Sequence, residues 1–209
     1  MSQLATRVIW FGSIAMIAIV GLFAQLDRQS RYSPELSAFV PEAMRSFSQY
    51  HYAAAATTAA TDPDIALIEA RRLLERRPMP AEHLSLLASA QGAAGRQVDG
   101  LQTIQSAARR GWRDTAAQSA MLRLAIVSDD GIEAARRLAA IWALAPSDDV
   151  LSNVAPQVLA RPDAMAEFAR LLASSPRWES AVRQRGPRVL PEDQMSELLL
   201  RADAAREAL

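Results

Sequence analysis

The stretch Val8–Leu26, VIWFGSIAMIAIVGLFAQL, runs for 19 residues without a charge, and Gln25 is its only amide. As a helix rising 1.5 Å per residue it is roughly 28 Å long, close to the hydrocarbon thickness of a bilayer. Ile9, Ile14, Ile17, Ile19, Val20 and Leu22 surround the whole helical circumference, which leaves no polar stripe for water and argues against a core helix of a soluble domain. The pattern predicts one transmembrane helix over residues 8–26, after a short tail over 1–7. A cleavable signal peptide is the competing reading, with Arg7 as its basic flank and Leu22-Phe23-Ala24 as its cleavage site. The apolar run is longer than the ~7–15 residues of a signal core, and Leu22 stands where a small residue is needed, so a retained anchor fits better.

Charge gives little orientation, because Arg7 precedes the helix while Arg28 and Arg31 follow it. The common arrangement of an N-terminal anchor places the tail in the cytoplasm and the bulk of the chain outside. All 23 basic residues are arginine and alanine is abundant, as in GC-rich bacterial coding. The expected location is therefore the inner membrane, single-pass, with a periplasmic domain. Gly12, Ala15, Ala18, Gly21 and Ala24 are small enough to let another membrane helix approach. A period of three drifts around a 3.6-residue helix, so the ordinary abundance of small residues in spanning helices explains them equally well.

After Asp27 the composition is that of a soluble domain of about 160 residues once a connector is set aside, enough for a real core. The 23 basic residues balance 23 acidic ones, which supplies no field for nucleic acid, and none is expected as a partner. Cysteine is absent, excluding disulfides and thiolate chemistry. The two histidines, His51 and His83, lack any HExxH spacing, and no GxxxxGK, GxGxxG or GxSxG motif occurs. The chain is not expected to be an enzyme or to hold a metal or cofactor.

Pro34 and Pro41 among scattered polar residues mark 27–46 as an extended or partly helical connector. From Ser46 onward, alanine, leucine and arginine dominate, and strand formers are sparse. Turn signals at Thr61-Asp62-Pro63, Arg77-Pro78-Met79-Pro80, Gly95, Gly111, Asp129-Asp130-Gly131, Ala145-Pro146, Arg161-Pro162, Ser175-Pro176 and Gly186-Pro187 separate stretches of about three or four helical turns. An all-α fold of antiparallel helix pairs follows, closed by a capping helix over 191–209 with Met195, Leu198, Leu199 and Ala202 on its apolar face.

Cutting the chain every 34 residues at Phe47, Ala81 and Thr115 aligns small residues at position 20 (Ala66, Gly100, Ala134). Position 24 then reads Ala70, Ile104 and Leu138, and position 32 reads Pro78, Trp112 and Pro146. A fourth, shortened unit places Ala164, Phe168, Leu171 and Pro176 in the same frame. In this the chain resembles the tetratricopeptide repeat superfamily, over residues 47 to 176. It departs from that pattern at position 4 (Tyr50, Leu84, Gln118), at position 11 (Thr57, Gln91, Ala125) and at Leu122, which fills a usually small position. A related α-solenoid built of the same helix pairs fits equally well. The resemblance implies a TPR-like antiparallel helix-pair array over 47–190.

In that frame His51, Glu82, Ser85, Ser89, Ser119, Arg123 and Ile126 face a concave groove that would hold a partner protein. Tyr50-His51-Tyr52 reads as an aromatic cluster in the groove or as ordinary helix packing, and the latter fits better. Trp112, Trp142 and Trp178 read as packing between repeats rather than as binding hot spots. Arginine pairs such as Arg71-Arg72 and Arg136-Arg137 read as a solvated face balanced by nearby glutamates. The resemblance implies a membrane-anchored scaffold or adaptor that positions a membrane-associated protein partner, as such layouts do in bacterial polysaccharide export, secretion and cytochrome maturation. The alternative is an accessory structural subunit of a large integral membrane complex.

Overall fold

The helix formers of the sequence set its architecture. The structure, a computed structural model, describes residues 3–59, 61–144 and 147–208. Among them are α1 Gln3–Gln29, α2 Ser48–Ala59, α3 Pro63–Arg76, α4 Ala81–Ala93, α5 Gln97–Arg110, α6 Thr115–Val127, α7 Gly131–Ala143, α8 Asp148–Leu159, α9 Pro162–Ala173, α10 Pro176–Val189 and α11 Glu192–Glu207. No strand occurs among the described residues.

Helix α1 extends past both expected ends. The tail placed at 1–7 is already helical from Gln3, and the helix continues three residues beyond Leu26. Nothing in its sequence breaks a helix before the Ser30 turn. Residues Arg7–Gln29 are long and apolar enough to cross a membrane, and the apolar 18-residue stretch within them is not buried in the protein. A solvated helix of this kind would expose Trp10, Phe11, Ile14 and Ile17 to water, a cost that lipid removes.

Contacts group the chain into two units, Met1–Thr103 and Ile104–Leu209, with α5 running through the boundary. In the first unit α2 packs on α3 and α4, and the connector adds two short 3-10 turns, Pro34–Phe39 and Glu42–Met44. The connector is therefore not a free tether. Arg45 lies over the Tyr52 ring at 3.7 Å and donates to the Val40 carbonyl, and Arg76 donates to the Arg45 carbonyl and to Gln49.

Local chemistry explains the punctuation. Asp62 caps α3 by accepting from the Asp64 and Ile65 N–H groups, Asp114 caps α6 through Ala117, and Asp130 caps α7 through Glu133. Gly95 ends α4 at φ +74°, where a side chain would be strained. The turn expected at Gly186-Pro187 is absent: α10 continues to Val189, because a proline so near the helix end removes only one interior bond. The turn at Ala145-Pro146 lies outside the described residues.

The core of the second unit gathers Leu138, Trp142, Leu151, Leu159, Met165, Phe168, Leu172 and Leu198. Helix α7 packs on α6 and α9, α9 on α11, and α8 on α10. Met195, Leu198 and Ala202 of α11 are buried in that core, with Leu199 packed beside them. Ala66, Gly100, Ala134 and Ala164, aligned as small by the 34-residue frame, are all buried. A Cβ on Gly100 would lie 3.1 Å from the Ala88 carbonyl oxygen, so close backbone approach accounts for the glycine.

Trp142 and Phe168 rings stand 5.8 Å apart, and Phe168 and Trp178 5.1 Å apart, in tilted geometry within the core. Trp112 does not join them and is 54% exposed. The Gly111 turn before the α6 cap holds its indole outward, with the Arg113 guanidinium 5.0 Å from the ring centroid.

Candidate functional site

Three arrangements in this fold stand out from ordinary packing. The first is the junction of α1 with α2. Asp27, in the last turn of α1, is buried, and its carboxylate accepts the backbone N–H groups of Ser46 at 2.9 Å, Phe47 at 3.0 Å and Ser48 at 2.9 Å. These are N–H groups at the start of α2, which have no partner inside their own helix. Buried Ser30 donates to the Asp27 carbonyl and shares a hydrogen bond with Ser48 across 3.0 Å. A carboxylate at the end of one helix thus caps the next and fixes the apolar helix to the domain.

The second arrangement is a polar pocket beside that junction, in the first unit. It is lined by Arg31, Phe47, Tyr50, His51, Arg77, Glu82 and His83. His51 Nε2–H donates to the Ser30 carbonyl at 2.8 Å and His83 Nδ1–H to the Arg77 carbonyl at 2.7 Å, since a carbonyl can only accept. Each ring therefore keeps one nitrogen free of those bonds. Burial holds His83 below its ordinary value near 6.5, against the opposing pull of the Arg77 carbonyl and the Glu82 charge, so it is neutral at pH 7. Arg77 stacks on the Phe47 ring at 3.9 Å, and Tyr50 lies between the two imidazoles at centroid distances of 5.6 Å and 5.9 Å.

The third is an apolar pocket of about 150 Å³ among α6, α7 and α8. Its floor is Leu122, Leu138, Ile141 and Leu151, and its rim holds Ile126, 41% exposed, and Val150, 48% exposed. Arg123 and Ser119 supply the polar edge. No carboxylate lies within ion-pair distance of Arg123 among the described residues.

The residues expected to face one groove are thus divided. Ser119, Arg123 and Ile126 meet at the apolar pocket, and His51 and Glu82 at the polar one. Ser89 is exposed and donates to the Ser85 carbonyl at 3.0 Å, lining neither pocket. Ser85 is buried, which corrects its placement on an open surface; α4 packs against α2 and α3. Along α1, Gly12, Ala15, Ala18, Gly21 and Ala24 are all exposed, with open space around both glycines. Sequence reasoning missed Arg31 and Arg77 as pocket residues, because the repeat frame assigns surfaces only to helix positions and leaves the connector and turns blank, and it passed over His83, whose place in the first turn of α4 carries no local sign of what it packs against.

No group of three or more His, Asp or Glu side chains is placed to hold a metal among the described residues. No family model, no curated protein and no solved structure matches this chain.

Proposed function

We propose that the protein is a membrane-anchored adaptor of the bacterial envelope, with α1 in the inner membrane and the helical domain in the periplasm, where it positions a protein partner. The carrying observation is the apolar pocket: Ile126 and Val150 stay exposed around it, beside an arginine with no acidic partner among the described residues. Such a pocket suits an apolar side chain of a partner segment flanked by a carboxylate for Arg123. The Asp27 cap supports the same reading, because it converts an anchor into a rigid mount.

A degenerate TPR-like solenoid is the architecture this function would use. Packing of α7 on α9, α9 on α11 and α8 on α10 supports it, since stacking of two-helix units brings each helix against the one two places along. The buried small residues Ala66, Gly100, Ala134 and Ala164 favour it as well.

The test is capture from native membranes with full-length protein, comparing Ile126→Asp and Arg123→Glu with Val127→Asp, a control at a side chain that is 83% exposed. The adaptor reading expects one partner retained by the wild type and the control and lost from both pocket variants. Equal capture by all four would refute it. The second reading, an accessory subunit held through α1, is favoured by the open space around Gly12 and Gly21. It predicts a stoichiometric complex that survives detergent extraction and is disrupted by Gly12→Leu with Gly21→Leu, whatever is done to the pocket.

A further inference from the structure

The polar pocket stands where α1 leaves its apolar stretch, and two constraints set its height above the hydrocarbon. The apolar run ends at Leu26 and Arg31 follows five residues later, roughly 8 Å of mostly helical rise, whereas a headgroup layer is about 5–8 Å thick on each side of the membrane. The His51 ring is hydrogen-bonded to the Ser30 carbonyl, and Phe47 N–H to Asp27, so the pocket wall is held to the helix exit and cannot move away from the surface.

The charges of the wall are of both signs. Arg31 and Arg77 bring two guanidinium groups and Glu82 one carboxylate, and none of the three has an ion-pair partner among the described residues. Arg77 lies with one face on Phe47, which leaves the N–H edge of its guanidinium for an anion. An anion alone would satisfy the arginines but would face Glu82 unfavourably. A zwitterion with a phosphate at one end and an ammonium donor at the other satisfies all three.

We propose that this pocket binds the phosphoethanolamine headgroup of a membrane lipid, its phosphodiester between Arg31 and Arg77 and its ammonium at Glu82. The assignment rests on α1 spanning the membrane. Headgroup binding would fix the domain's height and tilt at the surface, adding a second attachment to the one helix.

The experiment titrates full-length protein in non-ionic detergent with dihexanoyl phosphatidylethanolamine, phosphatidylcholine, phosphatidylglycerol and inorganic phosphate, following the His51 and His83 ring resonances. The ethanolamine lipid is expected to shift both rings saturably, with the choline and glycerol lipids at least fivefold weaker. Arg77→Gln is expected to weaken binding at least tenfold, and Glu82→Gln to erase the preference for ethanolamine over choline. Should Arg77→Gln melt early, Glu82→Gln, at an exposed position, carries the test. Inorganic phosphate binding as tightly as the ethanolamine lipid would show a free-anion site and overturn the proposal, as would preference for the glycerol lipid or a flat titration. Alkaline carbonate extraction of native membranes separates the two failures: release of the protein sinks the spanning helix, whereas retention with a flat titration sinks the headgroup site alone.

Discussion

The Asp27 carboxylate accepts the Ser48 backbone N–H at 2.9 Å, across 21 positions of sequence. A helix end is a poor place to leave a negative charge, because the macrodipole is negative there. The N-terminus of α2 supplies the compensation, with three N–H groups turned to one carboxylate.

Removing that carboxylate therefore loosens the apolar helix from the domain. Asp27→Ala leaves three N–H groups without their acceptor and is expected to cost about 2–3 kcal/mol, with Asp27→Asn intermediate because one oxygen is retained. Unfolding of the full-length protein in detergent measures the loss, and trypsin should cut at Arg31 and Arg45 faster in the variant. Unchanged cleavage would mean that the connector is held by other contacts.

Acidification should loosen the first unit through His83. Burial lowers its pKa in the folded state, so the unfolded chain takes up a proton first as pH falls. The stability this residue contributes is full above the unfolded value near 6.5 and is lost as pH falls from there through the lowered folded value. Thermal melts at pH 7.5 and 5.5 should differ in that direction, and His83→Gln should flatten the difference. An equal slope in the variant would reject the assignment.

Glu167 places a second pH dependence in the other unit. Its carboxylate bonds to Arg170 at 2.8 Å and to Arg136 at 2.9 Å, and these arginines, Arg170 foremost, hold its pKa down at about 2 against the opposing effect of burial. The resulting stability is present above about 4.5 and disappears as pH falls through 2. Both arginines are more than half exposed, so solvent screening reduces the benefit, and Glu167→Gln is expected to cost about 1–2 kcal/mol at pH 7. Denaturant unfolding at pH 7 and pH 3 checks both statements, with the variant's penalty shrinking at pH 3.

The aromatic core offers a contrast within one residue class. Phe168→Ala empties the space between Trp142 and Trp178 and should cost about 3–5 kcal/mol. Trp112→Ala removes an exposed ring and should cost less than about 1 kcal/mol. Equilibrium denaturation compares them, and similar losses would place Trp112 in a core that the structure denies it.

How much of this was readable from the residues depends on range. The apolar helix and the all-helical character follow from composition and 3.6-residue periodicity, both local properties. Ser119, Arg123 and Ile126 were found together because they sit at i, i+4 and i+7 on one helix, and that face stayed open. Glu82, Ser85 and Ser89 have nearly the same spacing, but there Ser85 is buried, which spacing alone does not reveal. Asp27 gave no signal at all: its partners lie 19 to 21 residues away, beyond a proline-bearing segment that reads as a tether.

If α1 crosses a membrane and carries the helical domain on one side, its two ends face opposite compartments. Since the chain has no cysteine, single cysteines at Gln3→Cys and Val127→Cys can be probed in intact spheroplasts with a membrane-impermeant maleimide. The Val127 site is expected to label from outside and the Gln3 site only after permeabilisation. Labelling of both sites from the same side would contradict it.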